Sequence, residues 1–185
     1  MLIAFTGLKG SGKDTAGDVL VQKNFTKLRF AGPLKEMIRT MYCEAAIDAE
    51  TVERKIEGDL KELACPVLNG ATPRRAMQSL GDEWARMVDP THTLWSNILR
   101  ERAEQLLKQG TPIVCTDMRY QHELGAIKDL GGYAFRIDRP GLDQGDLHRS
   151  ETELLKLQVD ETIGNIGSIH DLRQKIERLL RDLTR

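Results

Sequence analysis

The chain has 185 residues, of which 40% are hydrophobic, 30% charged and only 5% aromatic, proportions that suit one globular α/β or mostly helical domain with a real core. Lysine plus arginine (27) nearly cancel aspartate plus glutamate (28), leaving a formal charge of -1. That excludes a global basic field for nucleic acid and an acidic disordered tail, so any anion site must be local.

The opening run, Met1 to Thr6, is a short β-rich apolar segment closed by Gly7, and the next helical pattern begins after Gly12. The chain therefore starts strand, glycine loop, helix. A second strand is expected around Phe25 to Phe30, followed by Gly32-Pro33, where proline suits the first turn of a helix carrying Leu34, Met37, Ile38 and Met41. Residues 43 to 71 are less legible: a polar helix near Ala49 to Glu57, then a loop through Cys65-Pro66 and Asn69-Gly70. Thr72-Pro73 reads as an N-cap and first-turn proline, opening a helix with Met77, Leu80, Trp84 and Met87 on one side and ending at Asp89-Pro90. Leu94, Trp95, Ile98, Leu99, Ala103, Leu106 and Leu107 recur at helical spacing up to Gly110.

Pro112 to Thr116 reads as a buried strand ending in Asp117, and Leu124, Ile127 and Leu130 as a helix stopped by Gly131-Gly132. Tyr133 to Asp138 is the next expected strand, Arg139 to Ser150 a charged glycine-containing loop, and Glu151 to Leu157 a short helix. Asp160 to Gly164 is expected as the last strand, with Asn165-Ile166-Gly167 as its turn. Ser168 with Asp171 resembles a capping box, opening a terminal helix whose apolar face is Ile169, Leu172, Ile176, Leu179, Leu180 and Leu183. The three cysteines, Cys43, Cys65 and Cys115, are widely spaced without a CxxC pair; they read as small buried hydrophobes rather than a disulfide framework or a zinc site. No apolar run approaches the ~20 residues that span a bilayer, and no charged leader precedes a signal-like core. A cytoplasmic location is expected, with neither membrane nor nucleic acid polymer as a partner. Strands alternating with helices imply a parallel sheet covered on both faces, with sites at the carboxyl ends of its strands.

Gly7 to Thr15 (GLKGSGKDT) has the G-x4-G-K frame of a P-loop between strand and helix. Glycines let successive N–H groups turn around a phosphate, the helix N-terminus adds its dipole, and Lys13 supplies a point charge. Asp14 stands where many P-loops carry a magnesium-binding Ser or Thr, and Thr15 follows it. A metal-shell role and a helix first-turn role are both open for Asp14. Asp117 at a strand end, Arg119 beyond it, and the Arg74-Arg75 pair near a helix start are candidates to hold an anion. Capping and solvated-surface readings stand beside these. Arg136, Arg139, His148 and Arg149 lie in or beside a loop able to close over phosphates. His122 reads as a surface or packing residue, and Trp84 and Trp95 as core more readily than as base platforms. The NKxD guanine motif is absent.

Taken in order, GLKGSGKDT (7–15), AGPLK (31–35), RRAMQSLGDEW (74–84), DMRYQHE (117–123), GGYAFRIDRPG (131–141), HRSE (148–151) and DETIGNIGS (160–168) resemble the deoxynucleoside monophosphate kinases of tailed bacteriophages. These are a branch of the P-loop nucleotide kinases. The resemblance runs nearly end to end, is weak over 42–71, and departs at Asp82, where Thr is common.

It implies a single nucleotide-kinase domain over 1–185, of α/β class: a P-loop NTPase-like parallel sheet flanked by helices, with a helical acceptor-binding region at about 43–110 and a small lid at about 139–157. It implies γ-phosphoryl transfer from ATP to a deoxynucleoside 5′-monophosphate, with ATP and Mg²⁺ as cofactors; a homodimer is left open. Gly10, Ser11, Gly12, Lys13, Asp14 and Thr15 would hold the donor phosphates, Asn165 and Gly167 would border the adenine, and Asp14 and Thr15 would serve the metal. Lys9, Leu34, Lys35, Arg74, Arg75, Gln78, Trp84, Asp117, Arg119 and Glu123 would line the acceptor side. Lys13, Arg136 and Arg139 would serve the transferring group. The rivals are another small-molecule P-loop kinase, similar to dephospho-coenzyme A kinase, and an ATP-binding regulatory module without transfer.

Overall fold

A computed structural model describes residues 1–142 and 153–184. Five strands, β1 (Leu2–Thr6), β2 (Thr26–Leu28), β3 (Ile113–Cys115), β4 (Tyr133–Asp138) and β5 (Glu161–Gly164), form one sheet in the order β2-β3-β1-β4-β5. Every pairing is parallel, with Leu2 opposite Ile113 and Ile3 opposite Tyr133 flanking the central strand. Because β1 leads to β2 on one side while β4 lies on the other, the order reverses beside β1. Loops at the carboxyl ends diverge there and leave room for a ligand.

The chain divides into two compact units, residues 1–30 with 96–185, and residues 31–95. In the first, the inner strands β1 and β3 are buried on both faces, as a parallel sheet covered by helices requires, while the edge strands β2 and β5 are partly open. Ile3, Phe5, Val114, Phe135, Ile137 and Ile163 pack on Ala16, Val19 and Leu20 of α1 (Lys13–Val21) and on Leu172 and Ile176 of α8 (Ile169–Leu183). The alternate residues Leu2, Ala4, Leu28, Cys115 and Ala134 face Leu99 and Ala103 of α6 (Leu94–Lys108) and Leu124 and Ile127 of α7 (Gln121–Asp129). The Ser168 capping box forms as expected, its hydroxyl accepting from Asp171 N–H while the Asp171 carboxylate accepts from Ser168 N–H. Ile169, expected on the apolar face, shares the stripe of Leu172 and Ile176 but is exposed: as the first residue of α8 it borders the open cleft beside the glycine loop.

The second unit is helical: α2 (Gly32–Glu44), α3 (Ala49–Ile56), short 3₁₀ turns at Asp59–Glu62 and Pro66–Leu68, α4 (Pro73–Ser79), a π-turn at Leu80–Trp84 and α5 (Ala85–Val88). Leu34, Ile38, Tyr42, Val52, Ile56, Met77, Ala85 and Trp95 make its core. Thr72 caps α4 by accepting from Arg75 N–H. Beyond it the sequence reading fails at one point. The π-turn inserts an extra residue per turn, so the buried position after Met77 and Leu80 is Ala85; Trp84 is pushed outward and Met87 is 83% exposed. Trp95 keeps the core role expected of it and donates its indole N–H to the Gly81 carbonyl. Of the cysteines, Cys65 and Cys115 are buried as expected, but Cys43 is exposed at the end of α2.

β2 is shorter than the expected Phe25 to Phe30. The Arg139 to Ser150 loop and the following helix lie partly outside the described residues, which include Glu153 and Leu154 as helix and 155–156 as a turn. No helix among the described residues is long and apolar enough to cross a membrane.

Candidate active site

The glycine loop follows β1 and ends where α1 begins. Gly10 (φ +81) and Gly12 (φ +103) adopt backbone conformations that L side chains rarely reach. Gly12 is the N-cap of α1 and its carbonyl takes the Ala16 N–H, so the first-turn N–H groups of Lys13, Asp14 and Thr15 are left to open toward the loop. At Gly12 space is limiting as well as conformation. A Cβ there would lie 2.6 Å from Asn165 Nδ2 and 3.0 Å from Leu172 Cδ2. Asn165 is buried and occupied: Nδ2 donates to the Ser11 carbonyl at 2.8 Å, and its own N–H donates to Asp138 O at 2.6 Å. The turn after β5 is thereby bolted to both the P-loop and the end of β4.

These contacts shape a cleft of about 480 Å³ walled by Gly10, Gly12, Lys13, Asp14, Thr15, Arg139, Asn165 and Gly167, with Ile169 and Leu172 on its apolar side. Eight residues assigned from sequence to the donor and its transferring group thus share one wall. Lys13 curls over the loop and donates to the Leu8 carbonyl at 3.1 Å. Arg139 brings a guanidinium from the end of β4. Lys9 is exposed on the loop crest. A second cleft of about 540 Å³, between Met1, Phe25, Pro112 and Leu180, lies at the amino ends of the strands, away from the phosphate-binding loop.

Asp14 accepts from the Thr116 hydroxyl at 2.9 Å, and Lys27 Nζ stands 3.6 Å from the same oxygen. Partial burial pulls its carboxyl upward, but the Thr116 hydrogen bond and the charges of Lys27, Lys13 and Arg29 outweigh this and leave it below its ordinary value. An ionised Asp14 beside Thr15 suits Mg²⁺, which keeps several waters and needs only one or two protein oxygens besides substrate phosphates. No cluster of three or more His, Cys, Asp or Glu side chains exists among the described residues, and that coordination mode needs none.

Other assigned residues have structural work. Arg136 donates to the carbonyls of Leu154, Leu155 and Leu157 at 3.2, 3.1 and 2.7 Å, tying the chain after the loop to β4 instead of reaching into the cleft. Asp117, at the end of β3, accepts from Phe30 N–H at 3.0 Å. Glu123 is buried and accepts from the N–H groups of Arg119 (2.6 Å) and Tyr120 (3.0 Å), closing the turn before α7. Burial, then the nearby Asp117 charge, push its carboxyl up to about 8, against the pull of those two N–H donors. His122 stacks on Tyr120 with ring centroids 5.4 Å apart, the packing role expected of it. His148 and Arg149 lie outside the described residues.

In the helical unit the assigned residues separate. Leu34 is core. Trp84 is partly exposed and lies 6.0 Å from Trp95, centroid to centroid. Arg75 is exposed and pairs with Glu83 at 2.7 Å, along the face that carries Ser79. Arg74 is half-buried and pairs with Glu62, while Lys35 pairs with Glu57 at 2.7 Å. Gln78, four residues after Arg74, is exposed on the Arg74 side of α4. Lys61 in the same unit is half-buried; desolvation, then the Lys35 and Arg74 charges, hold its ammonium below its ordinary value.

A P-loop at the end of the central strand of a 2-3-1-4-5 parallel sheet, with an arginine over the same cleft, defines a P-loop kinase fold. Two solved structures agree on that fold: dephospho-CoA kinase from Campylobacter jejuni (TM-score 0.56, 17% identity, 98% of this chain and 96% of that one) and shikimate kinase from Aquifex aeolicus (0.54, 14%, 100% and 98%). The family profile of deoxynucleotide monophosphate kinases matches residues 45–176. A relative in Acanthamoeba polyphaga mimivirus, provisionally named a deoxynucleotide monophosphate kinase, is 31% identical over 95% of this chain and 94% of its own. The deoxynucleotide monophosphate kinase of Enterobacteria phage T4 is 25% identical over 98% and 99%. The chain belongs to the deoxynucleotide monophosphate kinase family.

Proposed function

We infer that the chain transfers the γ-phosphoryl group of ATP to a deoxynucleoside 5′-monophosphate, giving the diphosphate and ADP. The family match across 45–176 carries this reading. The P-loop cleft supports the donor half: main-chain N–H groups of the loop and α1 take the β- and γ-phosphate oxygens, and Lys13 moves from the Leu8 carbonyl onto them. Arg139, on the same wall, neutralises charge as the phosphoryl group leaves. Asn165 holds the base-side turn against the P-loop, and Ile169 and Leu172 offer an apolar wall to the adenine. Asp14 and Thr15 would hold Mg²⁺, which supplies charge neutralisation at the phosphates when bound.

The acceptor phosphate is already ionised, so no strong general base is needed and positioning carries the rate. Arg74, half-buried with Gln78 on its side of α4, suits the acceptor phosphate better than Arg75, which is exposed on another face and engaged by Glu83, itself held by the Ser79 hydroxyl. Glu123 acts through the Asp117 to Tyr120 turn, whose N–H groups its carboxyl holds. Arg136 anchors the chain that follows the proposed lid. ADP release measured over a panel of deoxynucleoside monophosphates tests the reading. Acceptor-dependent ADP formation is expected; ATP binding without it would favour a regulatory module.

A further inference from the structure

We propose that Thr116, the residue after β3, is a positioning residue for Asp14: its buried hydroxyl fixes one carboxylate oxygen and leaves the other for the shell of the metal ion. The inference rests on the Mg²⁺ role given to Asp14 above and adds a residue that no sequence motif marks.

In P-loop nucleotide hydrolases a Ser or Thr of the loop and an acid from elsewhere in the chain share the metal. Here the two residue types have changed places. The acid, Asp14, stands in the first turn of α1, and the hydroxyl, Thr116, comes from the sheet. Asp117, the acid that follows β3, accepts from Phe30 N–H, and Thr116 just before it is the residue whose side chain meets α1. Thr116 is 1% exposed and donates to Asp14 Oδ1 at 2.9 Å. A valine would fill the same space with no hydroxyl to satisfy, so it is the hydroxyl and not the volume that needs a reason.

Gly17, three residues after Asp14 on the same face of α1, makes the contact possible. A Cβ there would lie 2.3 Å from Thr116 Cγ2. Glycine is a poor helix former, but its bare backbone lets α1 settle onto the end of β3. Asp14 Oδ1 is thereby engaged, with Lys27 Nζ 3.6 Å away and bonded more closely to Asp18, at 3.0 Å. Among the described residues Asp14 Oδ2 accepts no hydrogen bond, and the side chain is exposed on the wall of the donor cleft. A carboxylate so exposed would turn readily toward the neighbouring lysine; the Thr116 bond holds it against that pull. Mg²⁺ demands near-ideal octahedral geometry and takes few protein oxygens, so an acid oriented beforehand loses less freedom when the ion binds.

Wild type, Thr116→Val, Thr116→Ser and Asp14→Asn, each as the full chain, should be compared by calorimetry with the β,γ-imido analogue of ATP, in Mg²⁺ and in chelator, alongside thermal midpoints. In Mg²⁺ the Thr116→Val change should weaken analogue binding by roughly 10-fold, the lower end of the range for hydrogen bonds that orient metal-binding residues. In chelator its affinity should match wild type, and Thr116→Ser should retain the gain that Mg²⁺ confers. An undiminished magnesium gain in Thr116→Val, with Asp14→Asn impaired, would overturn the proposal and leave Asp14 with the metal. An undiminished gain in Asp14→Asn as well would overturn the metal reading along with it. A lowered midpoint in Thr116→Val with binding weakened alike in Mg²⁺ and in chelator would also overturn the proposal, marking a packing residue. Because binding is read without turnover, a Thr116-dependent magnesium gain in a wild type that transfers nothing would support the proposal and refute the kinase reading alone.

Discussion

Replacing Gly12 by alanine perturbs the donor cleft at the point where two elements meet. A Cβ at φ +103 costs roughly 1–2 kcal/mol in backbone strain. It must also displace Asn165 Nδ2, which would lie 2.6 Å away. That amide is buried and bonded to the Ser11 carbonyl at 2.8 Å, so it cannot swing aside freely. Leaving the Ser11 carbonyl without its donor costs a further 1–3 kcal/mol or so. The sum, about 2–5 kcal/mol, corresponds to a fall in Tm of roughly 5–15 °C for a chain of this size, if the native loop is kept. If the loop yields instead, the N–H groups lose their aim and ATP KM rises at least about 10-fold. Gly10→Ala is the control. Its φ of +81 incurs similar strain, but its Cβ would meet only Leu142 Cδ2, at an ordinary 3.5 Å. Thermal melts and ATP titrations of both variants should separate them clearly. Equal effects in the two would show that the Asn165 contact does not constrain the P-loop.

Lys13→Ala should lower turnover at least about 100-fold while leaving the thermal midpoint close to wild type, since its bond to the Leu8 carbonyl is local to the loop; wild-type turnover in a folded variant would remove Lys13 from the mechanism. Arg74→Ala should raise acceptor KM by roughly 10-fold or more with little change in ATP KM, whereas Arg75→Ala should change neither much. The reverse ranking would mean that the face carrying Arg75 receives the phosphate. Glu123 predicts a pH dependence. Its carboxyl, raised from 4.5 to about 8, keeps a proton in the folded chain that the unfolded chain releases. Stability should therefore fall as pH rises across that window, by an amount of order 3–5 kcal/mol at most. Glu123→Gln should flatten the drop in urea midpoint between pH 5 and 8, and parallel pH profiles for the two proteins would contradict the buried-acid account.

The unit that carries the P-loop was largely legible because its signals are local. The Gly7 to Thr15 frame, the apolar strand Tyr133 to Asp138 and the Ser168–Asp171 box depend on neighbours within a few residues, and each forms where expected. The helical unit was harder. A period of 3.6 carried through the π-turn at Leu80–Trp84 places Met87 inside, but the extra residue per turn moves Ala85 there. Long-range roles were invisible. Nothing beside Arg136 in sequence announces three carbonyls at 154, 155 and 157. Charged residues look alike in sequence whether they face solvent, a carbonyl or a substrate; their partners distinguish them.

Following the γ-phosphorus of labelled ATP tests the central claim most directly. Incubated with the protein, Mg²⁺ and a deoxynucleoside monophosphate, the label should appear as the β-phosphate of the deoxynucleoside diphosphate, in step with ADP and only when the acceptor is present. Label released solely as inorganic phosphate, or retained in ATP with every deoxynucleoside monophosphate tried, would contradict it.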